Sequence, residues 1–528
     1  MEEREKNRPR INMPAKIRRA RSDAPYQNQA TGRKQLLLDM ARFSCILARE
    51  GVEAIMSEPK LNTAQKALQI NLDATKYGAF AEIGAGQEVA RWFFHVGGAA
   101  GTVAKTMSAY DMAVSDAIYG PSDRYVSRKR LQAMLNYEFD LLLQRLNQSR
   151  GDKCAFFVFA DTVATHSFSH QTDGQGWLGI KFQTQPHATA SEIIIHVRML
   201  DRDNVREQEA LGVIGVNLIH GAFYHHDEPE RLIGLLMDDL TRDRIEVDMI
   251  KFSGPCFAGV DNRLMALQLV EQQLTDTAMF TADGETVVAG EVLYKKPVLV
   301  ERGSFRPLTN PMLDMLERAQ EQFLKEESLQ GETPVVITEM TLRQLQVDDM
   351  IDHRDFLDRV DTLSALGKTV LISSFLRYHR LVMYLSKYTQ KTIGLPLGLV
   401  RLRDVMDESF YTDLEGGLME SLGQLFKNGA KVYVYPSLDR ITGKLTTVEN
   451  MEVAPHLRHL YAHLVENRFV ENIRNYNPGY LTVYSGDVLA KIKAGDAAWE
   501  KLVPPPIVQV IKAKRLFGWS EKPAAVTV

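Results

Sequence analysis

Residues 296–313 read Lys296-Pro297-Val298-Leu299-Val300-Glu301-Arg302-Gly303-Ser304-Phe305-Arg306-Pro307-Leu308-Thr309-Asn310-Pro311-Met312-Leu313. The run up to Arg302 is short, apolar and bounded by turn residues, the pattern of a buried strand. Leu313, Met315, Leu316, Ala319, Phe323 and Leu324 recur at roughly helical spacing, so a helix is predicted to start near Asn310 or Pro311. Proline suits that first turn, where its missing N–H is not needed. A strand, a tight Gly303 turn and a helix start leave backbone N–H groups and the positive end of the helix dipole facing one point, which favours an anion. Gly303, Ser304, Phe305, Thr309 and Asn310 are therefore candidate binding residues for a phosphate.

The same rhythm continues downstream. Strands are predicted at 334–338, 368–373, 391–395 and 431–435, with helices at 356–366, 378–388 and 414–426 between them. Gly367 closes one of those helices. Such alternation implies a mostly parallel sheet covered on both faces. The segment 456–474 reads as helical, and Val503-Pro504-Pro505-Pro506 as a break.

Upstream the pattern differs. Residues 154–160, 177–182 and 192–198 are three strand candidates with no helix between them, which suggests a meander. Ala210–Ile219 is apolar, a helix follows Pro229, 245–250 is an alternating strand, and Asp261 is a plausible cap for a helix to Leu274. Short strands at 278–280 and 286–288 flank an Asp283-Gly284 turn. The expected fold class is α/β, with two mixed or parallel-sheet units, the second Rossmann-like, behind a disordered basic tail. The divisions are 1–34 for the tail, 35–150 for a helical, glycine-rich segment, 151–295 for the meander unit and 296–528 for the Rossmann-like unit with a helical C-terminus.

Composition sets outer bounds. At 528 residues the chain exceeds a single core. Its 45% hydrophobic and 25% charged content is that of a globular protein, and no run of about 18 apolar residues suggests a membrane span. The net charge of −4 offers no general attraction to nucleic acid or anionic lipid. Residues 1–34 are the exception, with ten basic residues against four acids; a solvated extension, or a weak arm for an acidic partner, is expected there. A helix is expected from Gln35 to about Met56. Cys45, Cys154 and Cys256 are far apart and odd in number, so a reducing, cytoplasmic setting is expected and no disulfide framework or Cys-based zinc site.

The Gly303 segment resembles the first motif of the nicotinamide/nicotinate mononucleotide adenylyltransferases. There a strand ends in Gly-x-Phe-x-Pro, with a His or Thr two residues on and a His three further. Gly303, Phe305, Pro307, Thr309 and Asn310 stand where the pattern wants them, and Met312 stands where the last His would be. A thioether has no proton to donate to a phosphate oxygen. Ile372-Ser373-Ser374, leading to Arg377, loosely resembles the family's late Ser/Thr-rich motif, although it comes much earlier than in the family. The resemblance implies a nucleotide pocket using Ser373 and Arg377 as well, and ATP accompanied by Mg²⁺. Two further stretches, Phe80–Arg91 and Ile250–Pro255, resemble a bacterial family whose members are labelled nicotinate-nucleotide adenylyltransferase or TonB-dependent receptor. The second label conflicts with the lack of a cleavable signal and of serial alternating strands with aromatic girdles. Glu82-Ile83-Gly84-Ala85-Gly86 also resembles the first motif of S-adenosylmethionine-dependent methyltransferases, with Glu88 in place of the third glycine.

Other constellations carry weaker signals. His220, His225 and His226 do not have the i, i+4 spacing of a helical metal pair, and Asp227 is expected to cap the helix at Pro229. His166, His170 and His187 fall in meander loops. Lys251-Phe252-Ser253-Gly254-Pro255 would sit at the carboxyl end of a parallel strand, where ligands bind in open sheets. Lys368, Arg377 and Arg380 are possible phosphate binders because lysine and arginine suit phosphate oxygens. The expected function is nucleotide binding, with a phosphate-bearing small molecule as partner. A non-catalytic, self-assembling scaffold and a methyltransferase are the alternatives.

Overall fold

The computed structural model describes residues 60–166, 174–347 and 350–520. The basic tail, the helix expected up to Met56 and His170 lie outside these residues.

The first sheet holds β1 (Lys76–Ile83), β2 (Val103–Met107), β3 (Ala155–Ala164), β4 (Gly174–Phe182), β5 (Ser191–Met199) and β6 (Ile245–Ser253), in the order β2-β1-β3-β4-β5-β6. β1 runs parallel to both β2 and β3. From β3 to β6 every pairing is antiparallel; β3, β4 and β5 are the meander read from the sequence, and β6 joins its edge after two helices. One face packs on the helices Glu88–Val96 and Asn204–Tyr224, through Phe80, Val89, Phe93, Phe159, Ile214 and Leu218. The long run of buried residues in Asn204–Tyr224 explains why Ala210–Ile219 is continuously apolar. The other face packs on Arg128–Arg150.

The second sheet takes β7 (Thr277–Phe280), β8 (Thr286–Val287), β9 (Val298–Arg302) and β10 (Val335–Thr341). A small hairpin of β11 (Gln346–Val347) and β12 (Met350–Ile351) follows, then β13 (Thr369–Ser373), β14 (Ile393–Gly398) and β15 (Lys431–Tyr435). A second hairpin, β16 (Ser437–Leu438) with β17 (Leu445–Thr446), precedes β18 (Val470–Asn472). The eight-stranded order is β18-β15-β14-β9-β10-β13-β7-β8. β9, β10, β13, β14, β15 and β18 are all parallel. In chain order they lie 3-2-1-4-5-6, the doubly wound Rossmann arrangement, with β7 and β8 added antiparallel beyond the third. Helices Tyr378–Leu385, Leu399–Val405 and Gly417–Leu425 cover one face. Asn310–Phe323, His353–Ser364 and the C-terminal helices Ser485–Ala494 and Pro505–Lys514 cover the other.

Some local expectations are corrected. Part of 456–474 is the strand β18, because the free edge of β15 pairs Val470 and Glu471 with Val432 and Tyr433. The proline run does not break the last segment: Pro504 is the N-cap and Pro505 the first residue of a helix, a position that needs no N–H. Asp261 caps its helix as expected, accepting the Arg263 N–H. Asp227 does not: Glu228 holds the N-cap position of Pro229–Leu235 and makes no side-chain cap bond.

Candidate functional site

In a doubly wound sheet the chain leaves the first strand one way and later returns to its other side, so a crevice opens at the carboxyl ends of the strands where the order reverses. Here the reversal falls between β9 and β14. A cavity of about 490 Å³ lies at that edge, within the roughly 300–1,000 Å³ usual for small-molecule sites. Arg302 ends β9, Thr341 ends β10, Arg377 and Tyr378 follow β13, and Arg401 and Asp404 lie on the helix after β14; all line it.

Its base is a fixed plate. Arg302 and Glu339 are register partners on adjacent strands and form a two-armed ion pair, Nε to Oε2 and Nη2 to Oε1, each 2.8 Å. Their side chains are 5% and 0% exposed, so the pair is desolvated and geometrically locked. Ser373 Oγ donates to Glu339 Oε1 at 2.6 Å. Arg302 also donates to the Leu376 carbonyl at 3.2 Å and stacks over the Tyr378 ring, 4.6 Å from its centroid.

The rim is cationic. Arg377 donates from Nε to the Phe410 carbonyl at 3.0 Å and lies 4.4 Å from the Phe410 ring centroid. Arg343 is exposed on a short helix that Thr341 starts by accepting the Gln344 N–H. Neither arginine has a carboxylate partner among the described residues. Arg401 pairs with Asp404 at 2.9 Å. Four guanidiniums thus face two carboxylates, which leaves two positive charges in surplus. Tyr378 is buried, and its hydroxyl has no hydrogen-bond partner among the described residues. Burial, with the Glu339 and Asp404 charges, pushes its phenol up to about 12, so it stays a proton donor.

The residues read from the sequence divide. Ser373 and Arg377 come together at this crevice. Gly303 continues from the end of β9 and donates its N–H to the Glu339 carbonyl at 3.0 Å. The Ser304 carbonyl accepts from Arg359. Phe305 is fully buried at φ +46°, packed in one cluster with Leu308, Met340 and Phe356, with Met312 against it. Thr309 is buried at the N-cap and makes no side-chain cap bond. Asn310 is engaged by the C-terminal segment: its N–H donates to the Leu502 carbonyl and its Nδ2 to the Lys501 carbonyl, each at 3.0 Å. The chain's own carbonyls therefore sit where the helix dipole would attract an anion.

The glycine-rich turn after β1 is also internally engaged. Glu82 turns back so that Oε2 accepts the Val89 N–H and Oε1 the Ala90 N–H, both at 2.9 Å. The N–H groups opening that helix are thus occupied by a carboxylate from within. Burial raises Glu82 to about 7, and burial with the Glu82 charge holds the neighbouring Asp161 well above the usual carboxylate range.

Other candidates move away from a ligand edge. Lys251 and Ser253 lie on β6, which is antiparallel, and Lys251 pairs with Glu285. Lys368 precedes β13 and so sits at the opposite edge from the crevice. Arg380 is exposed, 4.0 Å from Asp413. His220 is buried and meets Gln69 through Nε2; the His187 ring meets Asp152, and the His166 N–H donates to Glu207. Among the described residues no group of three or more His, Cys, Asp or Glu side chains is placed to hold a metal. Also among them, no helix is long and apolar enough to cross a membrane.

Arg302, Glu339, Arg343, Tyr378 and Arg401 were not singled out from the sequence. The one available signal was a charged residue ending a buried strand, as Arg302 does.

No family model matches the chain, and no curated protein matches it. Among solved structures it is similar to the competence/damage inducible protein CihA from Agrobacterium tumefaciens, at 18% identity, covering 31% of this chain and 97% of that one, with a TM-score of 0.23. It is similar also to a competence-damaged protein (CinA) superfamily protein from Enterobacter cloacae, at 13% identity, 33% and 99% coverage and a TM-score of 0.24. Another from Klebsiella pneumoniae 700603 matches at 14% identity, 31% and 99% coverage and a TM-score of 0.24. Scores of this size carry no functional weight, which leaves function to the geometry.

Proposed function

We propose that the chain is a nucleotide-binding protein whose ligand enters the crevice at the carboxyl edge of the second sheet, with its phosphates against Arg343 and Arg377. The observation that supports this most is the surplus of two guanidiniums at the reversal of strand order, where open α/β sheets take their ligands. Guanidinium presents a planar fork matched to phosphate oxygens. The Phe410 and Tyr411 rings beside Arg377 offer an apolar wall for the rest of the ligand. A Mg²⁺ ion would enter on the phosphates of ATP rather than in a cage of side chains.

The adenylyltransferase resemblance motivates the choice of probes. Titration calorimetry of the full chain with ATP and with nicotinate mononucleotide tests the reading. Heat of binding with either, lost in Arg377→Ala, is the expected result. No binding of either ligand removes it.

A further inference from the structure

Resting on that binding reading, we infer that the crevice is built for a singly substituted phosphate, the terminal group of a mononucleotide or sugar phosphate, and not for the diphosphate bridge of a dinucleotide. Three observations converge on this. In the doubly wound order a dinucleotide lays its pyrophosphate on the helix N-terminus that follows the first strand, through a glycine-rich turn. Here that helix is Asn310–Phe323: its first N–H, that of Asn310, donates to the Leu502 carbonyl, Pro311 has none to offer, and the Lys501 carbonyl accepts from the Asn310 side chain beside them. Phe305, fully buried, fills the turn where the glycines of a dinucleotide site would let the backbone approach.

The guanidiniums without an ion pair come from other strand ends. Arg343 follows the second strand in the order and Arg377 the third, and neither has a carboxylate partner among the described residues. Two unpaired guanidiniums match one group bearing two charges. A singly substituted phosphate carries nearly two at pH 8, since its second ionisation lies at about 6. Each phosphate of a dinucleotide bridge carries one. The third observation is Tyr378, which lines the cavity and whose buried hydroxyl has no partner among the described residues. A buried polar group in that state calls for an acceptor, and a phosphate oxygen held by Arg377 supplies one.

The test is calorimetry of the full chain at pH 8 with AMP, ribose 5-phosphate, inorganic phosphate and NAD⁺. AMP is expected to bind, inorganic phosphate to compete with it, and NAD⁺ to bind at least about tenfold more weakly. Removing one charged hydrogen-bonding partner should weaken AMP by roughly tenfold to a hundredfold, so Arg343→Ala and Arg377→Ala both do so. Tyr378→Phe should cost about fivefold. Arg343 is exposed and without an ion pair, so its variant keeps the fold and the test does not depend on Arg377→Ala remaining folded. Ribose 5-phosphate binding alone would keep this inference and remove the nucleotide reading. NAD⁺ binding as tightly as AMP, or AMP binding unchanged in Arg343→Ala and Arg377→Ala, overturns the inference while nucleotide binding stands. Failure of all four probes overturns both.

Discussion

Removing Glu339 alone should unfold the second sheet far more readily than removing Glu339 and Arg302 together. In the wild type the Arg302 guanidinium is 5% exposed and donates to both carboxylate oxygens of a fully buried Glu339 at 2.8 Å. Glu339→Ala strips that counter-charge and leaves Arg302 with the Leu376 carbonyl and the face of Tyr378. It also deprives the Ser373 hydroxyl of its acceptor. Deleting one member of a buried pair costs about 3–5 kcal/mol, because the remaining charge is buried uncompensated. At roughly 1 °C per kcal/mol for a compact unit as large as residues 61–528, the melting temperature should fall by about 3–5 °C. The double change Arg302→Met with Glu339→Leu takes both charges out of the apolar environment and fills the space, so it should lie within about 2 kcal/mol of the wild type. Thermal melts followed by circular dichroism compare the three proteins. The reasoning is refuted if Glu339→Ala melts within about 2 °C of the wild type, or if the double variant is no better than the single one.

Three further outcomes follow from buried or closely packed groups. Burial holds the Glu301 carboxyl at about 8 against an ordinary 4.5, and both its oxygens lack partners among the described residues. The folded state therefore binds this proton more tightly than the unfolded chain, so its contribution is full below about pH 4.5 and is lost as pH rises through about 8. The melting-temperature advantage of Glu301→Gln over the wild type should grow across that window and level off above it; a difference independent of pH would contradict this. Trp499 is 1% exposed beneath the segment that covers Asn310, so Trp499→Ala should cost about 3–5 kcal/mol and speed proteolysis near residues 497–520, and unchanged cleavage would count against it. Gly84 has φ +109°, and a Cβ there would stand 1.9 Å from the Val163 carbonyl oxygen. Gly84→Ala should therefore cost more than about 3 kcal/mol, and a variant that melts like the wild type would disprove the close approach.

The sequence by itself determined the class and most of its elements. Apolar runs bounded by turn residues located β9, β13 and β15 because a strand buried on both faces leaves a continuous local signal. Three such runs without an intervening helix were enough for the antiparallel meander. Gly303–Asn310 was legible as the turn from β9 into a helix, and Ser373 and Arg377 as residues after another strand end. Tertiary structure decided what those positions do. β18 exists because β15 offers it an edge, which no pattern within three residues encodes. Arg302 finds Glu339 through the register of two strands separated by a helix. Asn310 is covered by backbone carbonyls 191 residues or more away, and a carbonyl carries no side-chain signature of its partner. Local periodicity records which face of an element is buried; strand order and chain return decide which charged ends meet, and here they bring Arg343 and Arg377 to one crevice while the C-terminal segment covers the start of the helix after β9.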